Sequence, residues 1–365
     1  MREYLLCLAV AAAVTYLVTP VARRFALWWG AMAQVRDRDV HNEATPRLGG
    51  LAMFAGLLAA MLVAQQLPRM GSVFVTSKEP IALLSGCAIL VVLGMIDDKW
   101  GLDAPTKFAG QALAGAVMAL QGISIVWLPI GGTLVLDPVT SVLLTVLVVV
   151  VAVNAINFVD GLDGLAAGIV GIGAMAFFAY SYLLSVENGF TRATLATLIC
   201  ACLAGMCAGF LPHNLYPARL FMGDTGSMLI GMLLAASVIS LSSGIDPSAM
   251  AGTAALLPAL LPILLPVAVM AVPLIDLALA VIRRTRARRS PFAPDKQHLH
   301  HRLLQLGHSQ RRAVLLMYGW AGVIAFTAVS LAFVPANVSA VCFATGVVAL
   351  LLAVRWPRLR QHRSA

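Results

Sequence analysis

The chain has 365 residues, 60% of them hydrophobic and only 11% charged, with a formal net charge of +9. No soluble domain hides so large an apolar share, so the composition excludes a globular cytosolic enzyme and places the chain in a bilayer. The positive charge calls for no nucleic acid, because membrane topology accounts for where it lies.

Apolar stretches long enough to cross ~30 Å of hydrocarbon fall at residues 5–21, 51–67, 81–96, 108–121, 139–153, 165–186, 193–211, 228–241, 254–282, 313–334 and 338–354. The expectation is an all-α, polytopic integral membrane protein of about eleven transmembrane helices, folded as one domain over residues 1–365. With the N-terminus outside, 21 of the 25 Lys and Arg lie on cytosolic connections, and only Arg2, Arg69, Lys78 and Arg192 lie outside. That is the positive-inside pattern, and it puts the C-terminus in the cytosol. The first segment has Arg2 and Glu3 ahead of its apolar run and Arg23 and Arg24 behind it, as in a retained helix rather than a cleaved leader. The ninth contains Pro258, Pro262, Pro266 and Pro273. Proline removes a backbone donor, so this helix is expected to be kinked. All six cysteines lie within predicted spans and read as small apolar packing residues.

Polar residues gather where spans end. "GMIDDKWGL" closes the third span with Asp97 and Asp98. Neighbours on a helix diverge by ~100°, so one carboxylate can face a ligand while the other takes a structural partner such as Lys99. "NAINFVDGLDGLAAG" follows the fifth span with Asn154, Asn157, Asp160 and Asp163 at steps of three. Each such step drifts back by ~60°. The amides therefore belong on the last helical turn, and the carboxylates on a tight loop permitted by Gly161 and Gly164.

"PHNLYPARLFMGDTGS" supplies Asn214, Arg219 and Asp224. Its glycines and the helix N-terminus that follows suit a phosphate, and Asp224 suits magnesium. "DKQHLHHRLL" supplies His298, His300, His301 and Arg302, a set for phosphate rather than zinc because no cysteine is close. All four stretches are cytosolic in a frame fixed by Lys and Arg alone. Loops 97–107, 154–168, 212–227 and 283–312 are therefore expected to build one site that holds a hard cation and a diphosphate beside a lipid head group. An ion-coupled transporter, the rival from another class, would carry its acids near the bilayer midplane and often shows repeated halves; no internal repeat is visible here.

In this order and over nearly the whole chain, "DDKWGL", "NAINFVDGLDGLAAG", "PARLFMGDTGSMLIG" and "DKQHLHHRLL" resemble the polyprenyl-phosphate N-acetylhexosamine-1-phosphate transferases. The arrangement His298-Leu299-His300-His301 resembles the bacterial branch that joins UDP-N-acetylglucosamine to undecaprenyl phosphate, rather than the phospho-N-acetylmuramoyl-pentapeptide transferases. The resemblance implies transfer of N-acetylglucosamine-1-phosphate, or another N-acetylhexosamine phosphate from its UDP donor, onto undecaprenyl phosphate with release of UMP. It places that reaction on the cytosolic face of a bacterial inner membrane, at the start of cell-surface glycan synthesis.

The same resemblance implies Mg2+, with Mn2+ able to substitute, held by Asn157 and Asp224. It gives catalytic duty to Asp97, Asp98, Asp160 and Asp163. Substrate contacts would come from Asn154, Asn214, Arg219, His298, His300, His301 and Arg302. A homodimer is a further expectation. The chain departs from the family at "RDRDVHNEATPRLGG", where Asp39, Asn42 and Glu43 stand in place of the usual basic run while Arg38, His41 and Arg47 remain. A phosphate monoester has its second pKa near ~6, so the acceptor needs little deprotonation. Direct displacement is expected, with the Asp97/Asp98 pair orienting the acceptor or taking a residual proton, and a covalent phospho-aspartate route is the alternative.

Overall fold

A computed structural model describes residues 1–33, 44–128, 134–187, 193–244, 271–286 and 303–361. In chain order the helices are α1 (Arg2–Trp29), α2 (Gly49–Gln66), α3 (Gly71–Thr76), α4 (Glu79–Trp100), α5 (Ala104–Leu120), α6 (Pro138–Val159), α7 (Leu165–Glu187) and α8 (Ala193–Asn214). They continue with α9 (Gly223–Gly244), α10 (Ala271–Arg286), α11 (Gln310–Phe333) and α12 (Ala336–Gln361). Every predicted apolar stretch falls on a helix where it is described. Among the described residues nine helices are long and apolar enough to span a membrane. At 17 and 16 residues, α5 and α10 fall short of that length. Most of the proline-rich stretch, residues 254–270, lies outside the described residues, so the expected kink does too.

The only sheet among the described residues is a hairpin between α5 and α6. It pairs β1 (Trp127–Leu128) with β2 (Leu134–Val135) in antiparallel register, Trp127 opposite Val135. The sequence reading did not anticipate it. Local chemistry sets the helix ends elsewhere. Asp137 caps α6 by accepting from the N–H groups of Val139 and Thr140 at 3.1 Å each, with Pro138 at the first helical position. Gly30 and Gly101 close α1 and α4 with φ of +78° and +72°.

The core is centred on α9, which packs against α2, α4, α6 and α8. Its side chains are nearly all buried, whereas α12 rests on α11 at the periphery. Small residues explain this choice, because in a membrane helix association is driven by close backbone packing. A Cβ on Gly94 of α4 would lie 2.4 Å from Thr225 Cα, one on Gly50 of α2 2.3 Å from Gly226 N, and one on Gly231 of α9 2.7 Å from Val153 Cα of α6. Three helices thus touch α9 at backbone distance, two of them at its first turn.

The segment before α2 contributes as well. Leu48, buried and held at φ +84°, turns the chain so that the N–H groups of Gly49 and Gly50 donate to the carbonyls of Phe221 and Met222. A left-handed leucine is strained. Here it serves to fix the connection that leads into Asp224.

Candidate active site

The C-terminal ends of α4, α6 and α8 and the N-terminal ends of α5, α7 and α9 meet on one face, where the side chains from "DDKWGL", "NAINFVDGLDG" and "FMGDTGS" come together. Lys107, in the first turn of α5, is the hinge of this cluster. Its Nζ lies 2.5 Å from Asp97 Oδ2 and 2.8 Å from Asp224 Oδ2. The other Asp97 oxygen accepts from the Leu102 N–H at 2.6 Å. Asn157 donates from Nδ2 to Asp224 Oδ1 and to Ser227 Oγ, both at 3.0 Å. A carboxylate can only accept, so the amide nitrogen must face Asp224, and the amide oxygen points elsewhere.

Asp98 is placed differently from its neighbour. Its Oδ1 accepts from the Asp224 N–H at 2.9 Å, and its Oδ2 accepts from the Thr225 N–H at 3.0 Å and the Thr225 hydroxyl at 2.7 Å. Arg47 approaches to 4.0 Å, and the Asp98 side chain has no exposure. The first amides of α9, expected to receive a phosphate, are therefore taken by a carboxylate of the chain itself, which suits the positive end of the helix dipole. Asp98 thereby holds the start of α9 in place. The structural partner is also not Lys99, whose ammonium lies over the rings of Trp29 and Trp100 at 4.6 and 4.7 Å from their centroids.

The loop after α6 follows the expected plan, with Asn154 and Asn157 in the last turns of the helix and Asp160 at its C-cap. Gly164, at φ +77°, makes the sharp turn. Its N–H donates to Asn214 Oδ1 at 3.1 Å, and its carbonyl accepts from the Tyr318 hydroxyl at 2.5 Å. Asn214 also donates to the Leu220 carbonyl at 3.0 Å, and Asp163 Oδ2 accepts from the Ala218 N–H at 3.0 Å. Asp163 and Asn214, both 3% exposed, brace the α6–α7 loop against the α8–α9 connection.

Asn154 donates to Gln111 Oε1 at 2.6 Å and to the Val150 carbonyl at 2.8 Å, so it joins α6 to α5. Arg219 lines a separate cleft with residues of α1. His298, His300, His301 and Arg302 lie outside the described residues, as do Arg38, Asp39, His41, Asn42 and Glu43.

Asp160 is a half-buried carboxylate at the end of α6. Loss of hydration, with the charges of Asp224, Asp98 and Asp163 around it, pushes its pKa up to about 7 against the opposing pull of Arg47. The site therefore combines a paired Lys107, two carboxylates and an amide with a carboxyl that titrates near neutrality. Sequence reasoning missed Lys107, Gln111, Ser227 and Tyr318. For Lys107 a signal existed, since it lies in the same short connection as Asp97, ten residues further on.

Residues 80–242 match glycosyl transferase family 4. The chain is 47% identical to the decaprenyl-phosphate N-acetylglucosaminephosphotransferase of Mycolicibacterium smegmatis, over 99% of this chain and 90% of that protein. It is 33% identical to the probable undecaprenyl-phosphate N-acetylglucosaminyl 1-phosphate transferase of Bacillus subtilis, over 83% and 77% of the two chains. It is 30% identical to the phospho-N-acetylmuramoyl-pentapeptide-transferase of Desulforudis audaxviator, over 85% and 93%. An all-α membrane fold with acids gathered at its helix ends defines the class, a membrane-embedded phosphotransferase. The chain belongs to glycosyl transferase family 4, among the polyprenyl-phosphate N-acetylglucosamine phosphotransferases.

Proposed function

We propose that the protein transfers N-acetylglucosamine-1-phosphate from UDP-N-acetylglucosamine to a polyprenyl phosphate on the cytosolic face of the cytoplasmic membrane. The observation that carries this reading is the cluster of Asp97, Lys107, Asn157 and Asp224 at four helix ends. Decaprenyl phosphate is the favoured acceptor, from the 47% identity to a relative of that name. Undecaprenyl phosphate, expected from the motifs, remains the second reading, favoured by the relative at 33%.

The acceptor phosphate oxygen forms a bond to the β-phosphorus of the donor. The bond from that phosphorus to the bridging oxygen breaks, and UMP leaves with the electron pair. Asp97 orients the acceptor, and Lys107, already seated between two carboxylates, presents its charge to the phosphates. In-line positioning and charge neutralisation supply most of the rate in such a transfer.

Among the described residues no three His, Cys, Asp or Glu side chains gather into a metal cage. Mg2+ does not ask for one, because it commonly takes one or two carboxylates together with substrate phosphates and water. The Asp224 carboxylate fits that demand, and the Asn157 amide would add its oxygen once it turned from its bond to Asp224. Bound there, the ion would neutralise charge developing on the diphosphate. Asp98 holds the start of α9 so that Asp224 keeps its place.

The test is UMP release by the purified protein from UDP-N-acetylglucosamine with decaprenyl or undecaprenyl phosphate and Mg2+. Asp224→Asn is expected to lower turnover by about 100-fold or more, with folding kept. Absence of UMP release with either lipid, or full turnover by Asp224→Asn at saturating Mg2+, overturns the reading.

A further inference from the structure

A second cleft of about 430 Å3, lined by Thr19, Pro20, Arg23, His213, Arg219 and Leu220, shares no residue with the acid cluster. It is a built feature. Pro20 has no N–H, so the carbonyl of Tyr16, four residues back in α1, has no helical donor. His213, at the end of α8, replaces that donor: its Nε2 lies 3.2 Å from the Tyr16 oxygen, and its ring packs on the Tyr16 ring at 4.8 Å between centroids. A carbonyl only accepts, so Nε2 carries the proton. Arg23 donates from Nε to the Arg219 carbonyl at 3.0 Å and so fastens the α8–α9 connection to α1.

The terminal nitrogens of Arg23 and the guanidinium of Arg219 make no hydrogen bond or ion pair with the described residues. Two cations thus face one cleft and leave their charge for something else. Below them on α1, Tyr16, Leu17 and Val21 are exposed at 48, 68 and 60%, a flank that only acyl chains would cover in a bilayer. The cleft lies where this apolar flank gives way to guanidinium groups.

We propose that this cleft binds the phosphate of an anionic phospholipid, with Arg23 and Arg219 as its ligands and the lipid chains lying along α1. Arg fits the role, since its planar fork takes two phosphate oxygens at once. A phosphate held by both guanidiniums joins α1 to the connection that leads into Asp224, in addition to the Arg23 to Arg219 carbonyl bond.

The test uses the full-length protein, delipidated in detergent and titrated with phosphatidylglycerol, phosphatidylcholine or glycerol phosphate, with retained lipid counted by native mass spectrometry. Phosphatidylglycerol is expected to bind in preference to the other two. Arg23→Gln with Arg219→Gln is expected to weaken it by about ten- to thirty-fold, with phosphatidylcholine unchanged, and the double Lys variant to keep most of the affinity. Should the double Gln variant lose its helical circular dichroism, Arg219→Gln alone decides the matter with a loss of about fivefold. Undiminished phosphatidylglycerol binding by the Gln variant overturns the proposal. Glycerol phosphate binding as tightly as the lipid overturns it too, by assigning the cleft to a soluble anion.

Discussion

Asp97 and Asp98 are adjacent and chemically identical, yet the fold gives them different work. Asp97 meets Lys107 in the cluster, whereas Asp98 accepts three hydrogen bonds from the start of α9. Bonds to a buried charged acceptor contribute about 1.5–3 kcal/mol each, so Asp98→Ala strands donors that nothing else can reach. Its melting temperature is expected to fall by about 5 °C or more, read from the temperature at which the five buried cysteines become reactive to a thiol dye.

Asp160 gives the opposite sign. A carboxyl with its pKa raised to about 7 binds its proton more tightly folded than unfolded. Its contribution to stability is full below pH ~4 and lost as pH rises through ~7. Asp160→Asn is therefore expected to raise the melting temperature by about 2–4 °C at pH 8.5, a gain that shrinks as the pH is lowered to 5. A variant that melts with the parent at every pH would contradict this.

At the scale of elements, the controlling feature is the first turn of α9, where α2 and α4 approach at backbone distance. A Cβ at Gly94 meets backbone atoms of Thr225 and Asp224, while the nearest atoms to one at Gly110 belong to the side chain of Leu93. A leucine tip can turn aside and a backbone cannot. Gly94→Ala is expected to lower both thermal stability and UMP release, and Gly110→Ala to change each by less than about a third of that effect.

How much of this was legible follows the same division. Helix positions were readable because a run of apolar residues long enough to span leaves little alternative. The turn after Asn157 was readable because a spacing of three cannot keep one helical face and glycines stood beside it. Which carboxylate turns inward was not, since adjacent aspartates carry no mark of their surroundings until Thr225 and Lys107 arrive from α9 and α5. Nor was the centrality of α9, because hydropathy scores lipid-facing and protein-facing apolar residues alike.

Across the whole molecule, the ends of α4, α6 and α8 share a face with the start of α9, and the β1–β2 hairpin lies at the other end of α5 and α6. Combined with the distribution of Lys and Arg, this predicts that Asp103→Cys labels from the cytosolic side and Val135→Cys from the outside, both positions being exposed. Reversed labelling would place the site away from UDP-sugars and defeat the proposed reaction.

Lys107 also has a bearing on how the protein behaves between turnovers. By lying between Asp97 and Asp224 it gives those carboxylates a counter-ion that belongs to the chain and cannot be washed away. A zinc finger unravels when its ion is chelated, because the ion supplies its folding energy. This cluster carries its own electrostatic ballast, so stripping divalent ions is expected to leave the architecture standing.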